Sequence, residues 1–354
     1  MRKEHLGIVE GYFGTPWTWT ARKKVVSALS EKGYGFFIYA PKADQHLRKK
    51  WDKPYPAKKQ RELQGFVGHC KKHGVQPGIG LSPYEAYMDF NEDKKKALKA
   101  RIDMFNKMGI ERLAILFDDM KGDLPDLAAR QAEIMDFVRQ HSTAENIMMC
   151  PSYYSDDPIL DKVFGARSDN YLEDLGKLLD PAIDIFWTGE KVCSASYSPT
   201  HLKVTAKKLG RKPFIWDNYP VNDGPKMSNF LHIKAFNNSA AALEKYANGH
   251  AVNPALQPIL TLIPALTLSD FYEADTDTQK AFKRAVSDIV DNNALSKLII
   301  RDKDIFQDGG LSSLTKAEKA KLRAEYAAFN NPAAREILKW LDGKYQQGPE
   351  VLTQ

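Results

Sequence analysis

Two adjacent carboxylates, Asp118 and Asp119, directly follow the strongly apolar run at residues 113–117. Neighbouring carboxylates repel each other, so one of them should keep its proton to a higher pH than the other. Such a pair can supply both a proton donor and a stabilising anion to one reaction. The same residues could instead form a solvated turn, cap a helix, or hold a metal ion.

Polar and aromatic residues also follow other apolar runs of the sequence. The ends of these runs carry Glu10 and Gly11, Lys42, Tyr153 and Tyr154, Trp187 and Glu190, Trp216, Asn218 and Asp223, and Asn253. Carboxylates and amides can bond to sugar hydroxyls, while aromatic rings can cover the C–H faces of a sugar ring. Glycosidic cleavage also needs a proton donor and a group that stabilises an oxocarbenium-like centre. These residue types therefore favour a carbohydrate site.

The residues can act together only if a fold brings the ends of the runs to one place. Short apolar runs begin at residues 6, 35, 76, 112, 146, 184, 213 and 250, with helix-like segments between them. This alternation is typical of parallel βα units. Eight units over roughly 250–270 residues predict a (β/α)8 barrel, whose active site lies at the carboxyl ends of the strands.

The strand rhythm stops near residue 268. Residues 277–298 and 315–345 have helical patterns, with a break at Gly309 and Gly310. We therefore predict an α/β protein with a TIM barrel at residues 1–268. A helical C-terminal extension at residues 269–354 is expected to pack on this barrel.

The composition restricts the functional class. The 354 residues are 43% hydrophobic and 27% charged, as in soluble globular proteins. No apolar run approaches the ~18 residues of a membrane span, and the net charge of +6 is scattered rather than arranged in the basic stripe of a nucleic-acid-binding protein. Three cysteines argue against a disulfide framework. With no secretory signal pattern at the start, a cytoplasmic location is expected, with neither membrane nor nucleic acid as a partner.

Two other site chemistries have weaker support. His69 and His73 have the spacing of helical metal ligands, but no Glu follows His69 and the segment should lie at the opposite end of the barrel. Gly78 and Gly80 lack the spacing of a phosphate-binding loop. We therefore predict neither a metal nor a cofactor.

Six motifs carry a family resemblance. They are GIVEGYFGTPW (7–17), YAPK (39–42), WDKPY (51–55), LFDD (116–119), FWTG (186–189) and WDNY (216–219). Together, in this order and over about residues 6–260, they resemble glycoside hydrolase family 84, the β-N-acetylglucosaminidases that include the O-GlcNAcases. The first motif departs from the family pattern G-x-V-E-G-F-Y-G-R-P-W, because its aromatic residues are exchanged and Thr15 replaces the arginine.

The resemblance implies a retaining exo-β-N-acetylglucosaminidase in which the 2-acetamido oxygen of the substrate attacks the anomeric carbon and forms an oxazoline. Asp118 would orient and polarise the acetamido N–H, and Asp119 would act as general acid and then as base. Tyr154 would hold the acetamido group from the opposite side. Sugar hydroxyls would be bound by the Gly11 backbone, Lys42, Asn218, Asp223 and Asn253, with Trp216 as a wall of the pocket.

The implied partner is a glycoconjugate or glycoprotein that bears terminal β-GlcNAc, for example on Ser or Thr. Three alternatives remain open from the sequence. The chain could be a hyaluronidase-like or peptidoglycan-recycling glycosidase, a sugar-binding barrel without activity, or a barrel enzyme of other chemistry that uses the Asp pair for Mg²⁺.

Overall fold

Parallel strands form a closed barrel at the centre of the molecule, in a computed structural model that describes residues 5–236, 240–273 and 277–353. The strands are β1 (Leu6–Glu10), β2 (Phe36–Tyr39), β3 (Gln76–Leu81), β4 (Arg112–Leu116), β5 (Asn146–Cys150), β6 (Asp184–Trp187), β7 (Phe214–Asp217) and β8 (Gly249–Val252). Each strand pairs with the next one in the chain, and β8 pairs with β1 through Ile8 and Val252. The predicted (β/α)8 barrel is therefore confirmed.

Helices surround the barrel and continue beyond it. In the described ranges they are α1 (Trp19–Ser30), α2 (Ala57–Lys72), α3 (Glu92–Met108), α4 (Leu127–His141), α5 (Pro158–Phe164), α6 (Tyr171–Leu178), α7 (Pro199–Leu209), α8 (Gly224–Met227), α9 (Ala240–Tyr246), α10 (Pro258–Glu273), α11 (Thr278–Val290), α12 (Asn293–Asp304), α13 (Lys316–Ala327) and α14 (Pro332–Leu341). Shorter helical turns lie at Gln45–Leu47, Ala86–Met88, Ile305–Gly309, Leu311–Ser313 and Pro349–Thr353. Over these same ranges, no helix has the combination of length and apolar character needed to cross a bilayer.

Each of the two C-terminal segments with a helical pattern contains two helices in the structure. Residues 277–298 form α11 and α12 rather than one helix, because Asp291 adopts a left-handed conformation (φ 47°) and Asn292 caps α12. Residues 315–345 likewise divide into α13 and α14, where Asn331 caps a helix that begins with Pro332. Asn and Asp favour such positions because their short side chains bond to nearby backbone N–H groups.

The C-terminal helices share an apolar core with the barrel. One buried cluster includes Ile8 of β1 together with Ile337 and Trp340 of α14. The Glu336 carboxylate of α14 also accepts hydrogen bonds from the first backbone N–H groups of α10, at 2.9–3.1 Å. The predicted boundary at residue 268 falls inside α10, and the division of the chain into two units stays a prediction.

Candidate active site

The chain turns sharply where β4 ends, and this turn presents the carboxylate pair. β4 is buried along its length and ends at Leu116. Asp119 then takes a left-handed conformation (φ 56°), which is costly for most residues but accessible to Asp. Because of this turn, Asp118 and Asp119 both line one cavity at the carboxyl end of the barrel.

The cavity has a volume of about 180 Å³, which suits one small ring better than a large ligand. Its walls are Gly11, Phe13, Asp118, Asp119, Cys150, Tyr154, Thr188, Val192, Cys193, Trp216, Asn218, Val221, Asp223 and Asn253. Eight of the nine site residues expected from the sequence are among them, and the ninth, Lys42, contacts Asp118 directly. The structure therefore brings the expected residues together, while their individual roles stay predictions.

The sequence prediction did not include six of the lining residues, which are Phe13, Cys150, Thr188, Val192, Cys193 and Val221. Phe13 and Thr188 lie inside recognised motifs, so their motif positions could have identified them. Val192 and Cys193 belong to the loop after β6, and no residue type or spacing there marks a site. Only the path of this loop across the pocket places them.

Lys42 anchors Asp118 beneath the pocket. Its Nζ bonds to Asp118 Oδ2, and the two side chains are only 2% and 7% exposed. The second oxygen, Asp118 Oδ1, is buried without a hydrogen-bond partner among the described residues. A buried carboxylate oxygen without a donor is unfavourable, so this oxygen is placed to accept an N–H from a ligand.

Asp119 has a different environment from that of its neighbour. Tyr154 donates its hydroxyl to Asp119 Oδ1 at 3.1 Å, while Lys42 Nζ lies 3.8 Å from Asp119 Oδ2. Enclosure by the protein raises the pKa of the Asp119 carboxyl, and the Asp118 charge adds to this rise against the opposing charges of Lys42 and Arg48. Asp119 therefore keeps its proton to a higher pH than an ordinary aspartate does.

A chain of hydrogen bonds orients the amides on the opposite wall. Gly11 donates its backbone N–H to Asn253 Oδ1 at 3.3 Å, and Asn253 Nδ2 donates to Asn218 Oδ1 at 2.9 Å. Asn218 Nδ2 in turn donates to the Val192 carbonyl at 2.8 Å. The chain links the ends of β1, β7 and β8 to the loop after β6, so these polar groups have defined positions before any ligand binds.

Trp216 forms an aromatic wall packed against the backbone of Gly11. A Cβ atom at position 11 would overlap the six-membered ring of Trp216, so only glycine allows this close approach. Trp216 is 4% exposed, and its Nε1 is buried with no acceptor in the part of the chain that the structure describes.

Asp223 lies on the same side of the pocket, between β7 and α8. Its Oδ2 accepts the backbone N–H of Phe13 at 2.7 Å. Burial raises the pKa of Asp223 to about 6, and the hydrogen bond from Phe13 opposes this rise. Asp223 is therefore ionised at neutral pH and can accept hydrogen bonds from hydroxyl groups.

The two histidines that share the spacing of metal ligands lie away from this cavity, His69 in the last turn of α2 and His73 directly after it. Both His69 Nε2 and His73 Nε2 contact Ser27 Oγ, at 3.1 and 3.2 Å. Within residues 5–236, 240–273 and 277–353, no group of three or more His, Cys, Asp or Glu residues is arranged to hold a metal ion.

A (β/α)8 barrel with two adjacent carboxyl groups and an amide-lined aromatic pocket at the carboxyl ends of its strands fits a glycoside hydrolase. A family model described as beta-N-acetylglucosaminidase (NAGidase) matches residues 6–300. The chain therefore belongs to this family, glycoside hydrolase family 84, as the six motifs predicted.

Known proteins from mammals and bacteria are similar to the chain. The rat (Rattus norvegicus) and mouse (Mus musculus) proteins named Protein O-GlcNAcase are each 25% identical to it over 278 residues, which is 76% of this chain and 30% of theirs. The chain thus spans less than a third of the length of these relatives. A solved structure of a mutant O-GlcNAc hydrolase from Thermobaculum terrenum has a TM-score of 0.78 and 27% identity, covering 96% of this chain and 80% of that one.

Proposed function

We propose that the chain is a retaining exo-β-N-acetylglucosaminidase that uses the acetamido group of its substrate as the nucleophile. The observation that carries this proposal is the unequal environment of two adjacent carboxylates. Asp118 is ion-paired with Lys42 and keeps one buried oxygen without a partner, whereas Asp119 has a raised pKa. One residue is thus prepared to accept an N–H and the other to give a proton.

In the first step, the acetamido oxygen attacks the anomeric carbon as the bond to the leaving oxygen breaks. Asp118 accepts the acetamido N–H and stabilises the positive charge that develops on the forming oxazoline. Asp119 gives its proton to the leaving oxygen and becomes an anion. The result is a bound oxazoline and a free alcohol.

In the second step, Asp119 takes a proton from a water molecule as that water attacks the anomeric carbon. The C–O bond of the oxazoline breaks, and the acetamido group is restored. Two inversions at the anomeric carbon give net retention of the β configuration. Asp119 ends the cycle protonated, as it began.

The opposite wall would bind the hydroxyl groups of the sugar. Asn218 and Asn253 are already oriented by their mutual hydrogen bond, and the Asp223 carboxylate is held by the Phe13 N–H. The Trp216 face would cover the C–H face of the ring. A pocket of about 180 Å³ supports removal of a single terminal sugar.

For the other half of the substrate, we propose a Ser or Thr of a glycoprotein. The support is that the proteins similar to this chain are a Protein O-GlcNAcase and an O-GlcNAc hydrolase. A cytoplasmic location is consistent with such a substrate and stays a prediction.

Hydrolysis of chromogenic β-glycosides tests the proposal. We expect turnover of the β-GlcNAc substrate and none of the β-glucoside, because a glucoside has no acetamido group. Hydrolysis of the β-glucoside at a comparable rate would refute the substrate-assisted mechanism. Loss of activity with a chelator would instead support a Mg²⁺ site at the Asp pair. Preference for hyaluronan fragments or muropeptides over a GlcNAc-Ser peptide would replace the proposed glycoprotein substrate.

A further inference from the structure

The segment after α14 returns to the mouth of the substrate pocket. Gln347 bonds there to two loops that belong to the barrel. Its side-chain Nε2 donates to the Phe13 carbonyl at 3.1 Å, and its Oε1 accepts the Gly224 N–H at 2.6 Å. Its backbone N–H also donates to Ser228 Oγ at 3.1 Å. One residue from the C-terminal segment thus connects the loop after β1 with the loop after β7.

These contacts close a ring around Asp223. Phe13 accepts a hydrogen bond from Gln347 through its carbonyl, and it donates its N–H to Asp223 Oδ2 at 2.7 Å. Gly224, which donates to the other end of the Gln347 amide, directly follows Asp223 in the chain. The side-chain amide of Gln347 is therefore linked to the Asp223 carboxylate through Phe13, and to the Asp223 backbone through Gly224.

The backbone beside Phe13 has a conformation that accommodates this amide. Gly14 has a φ of 104°, which L side chains rarely adopt, and a Cβ built there would overlap Gln347 Nε2. The close approach of Gln347 therefore depends on a glycine at position 14. This is a second observation, independent of the hydrogen bonds, that the loop after β1 and the C-terminal segment fit together.

We propose that Gln347 is a positioning residue of the substrate pocket, which holds Phe13 and Asp223 in the arrangement that binds the sugar. This inference rests on the proposed function, since it concerns how the same pocket binds a GlcNAc residue. Gln347 lies outside residues 6–300, the part of the chain that the family model matches. The C-terminal segment would therefore contribute to sugar binding as well as to the core.

The test compares Gln347→Met and Ser228→Ala with the parent chain and with Gln346→Ala. Methionine keeps the approximate length of glutamine but removes both side-chain hydrogen bonds. Ser228→Ala removes the hydrogen bond that Ser228 Oγ accepts from the Gln347 backbone N–H. Gln346 is the exposed neighbour of Gln347 and serves as the matched control. Each variant is assayed on an aryl β-GlcNAc substrate across pH, and its thermal stability is measured in parallel.

We expect Gln347→Met to raise KM roughly ten-fold with kcat within about three-fold of the parent, as when only a tenth of the molecules hold a binding-competent pocket. Ser228→Ala should change KM in the same direction by a smaller factor. The acidic limb of kcat/KM should also move to higher pH, because the Phe13 N–H that stabilises the Asp223 anion is no longer fixed. A purely structural role would lower thermal stability without moving this limb.

The inference and the proposed function can fail separately. If the parent hydrolyses β-GlcNAc and both variants match Gln346→Ala in KM and in pH profile, Gln347 has no positioning role, while the proposed function stands. If Gln347→Met lowered both kcat and Tm but left KM unchanged, the inference would also be overturned. If the parent itself neither hydrolyses the substrate nor binds a GlcNAc-derived inhibitor, the proposed function fails, and the inference fails with it.

Discussion

Replacing Asp119 by alanine should slow hydrolysis in a way that depends on the leaving group. A general acid contributes about 10²–10⁴-fold to the rate, or about 2.7–5.5 kcal/mol of barrier. The nearest polar neighbours are poor substitutes. Burial raises the pKa of the Tyr154 hydroxyl well above its usual value, an effect that remains when Asp119 is removed, and Lys42 Nζ is bonded to Asp118. We therefore expect a loss near the upper end, about 10³–10⁴-fold, for an alkyl or Ser glycoside.

An acidic phenol leaves without a proton, so Asp119→Ala should keep most of its first-step rate on a dinitrophenyl glycoside. The assay is a series of aryl β-GlcNAc substrates, in which log kcat/KM is plotted against the pKa of the phenol. The slope should be steeper for Asp119→Ala than for the parent. Parallel lines, with the same loss of kcat/KM for every leaving group, would show that Asp119 has a structural role only.

The second step provides an independent check on the same residue. Without Asp119 no base activates water, but azide attacks without losing a proton and can enter the space that alanine leaves. Added azide should therefore rescue the variant and give the β-glycosyl azide. An α-azide product would indicate direct displacement, which contradicts an oxazoline intermediate. The matched control is Asp123→Ala, which replaces a partly exposed carboxylate outside the lining of the pocket and should leave the slope unchanged.

Four other substitutions should have distinct effects. Asp118→Asn should slow every leaving group to a similar degree, because it impairs ring closure itself, and rescue by a good leaving group in the aryl series would contradict this role. Asp223→Ala should weaken a GlcNAc-derived inhibitor by about 1.5–3 kcal/mol in calorimetry, the range for hydrogen bonds to a charged group; unchanged affinity would place Asp223 outside the site. Gly11→Ala should lower stability by about 1–3 kcal/mol in a denaturant titration, because the new methyl overlaps the Trp216 ring, whereas an unchanged midpoint would contradict this packing. Burial raises the pKa of Glu336 to about 7 from 4.5, so its contribution to stability is complete below pH 4.5 and is lost as the pH rises through about 7. Glu336→Gln should flatten the pH dependence of unfolding over this window by up to about 3 kcal/mol, and identical curves for variant and parent would refute it.

The barrel could be predicted from the sequence because its signals are local and repeated. Each strand is a short buried run, and each polar rim residue follows such a run within a few positions, so chain order already indicates which residues meet. Asp118 and Asp119 were found in this way. Adjacency predicted that the two carboxyls would differ, but not which of them has the raised pKa, because that depends on the burial of Asp119 and on Lys42, which lies in the loop after β2.

Contacts made by loops and by the C-terminal segment carry no comparable signal. Val192 accepts a hydrogen bond through its backbone carbonyl, which any residue type would offer. Gln347 lies more than a hundred residues beyond Gly224, its bonding partner, in a segment without strand or helix periodicity. In contrast, the break between α11 and α12 had a local signal at Asp291 and Asn292, because this pair of residues favours a helix end followed by a new cap.

The charges of the pocket explain why the proton belongs on Asp119 in the proposed reaction. Lys42 is 2% exposed, and a buried cation of this kind needs one anion beside it, which Asp118 supplies. With Asp119 protonated, the three side chains together are neutral. When Asp119 gives up its proton, the oxazoline ring gains a positive charge at the same time, so the net charge inside the pocket does not change. Moving charge within an enclosed site costs less than adding charge to it. Before substrate binds, an ionised Asp119 would leave these three side chains with a net negative charge, which is unfavourable in an enclosed site. The raised pKa of Asp119 is consistent with this.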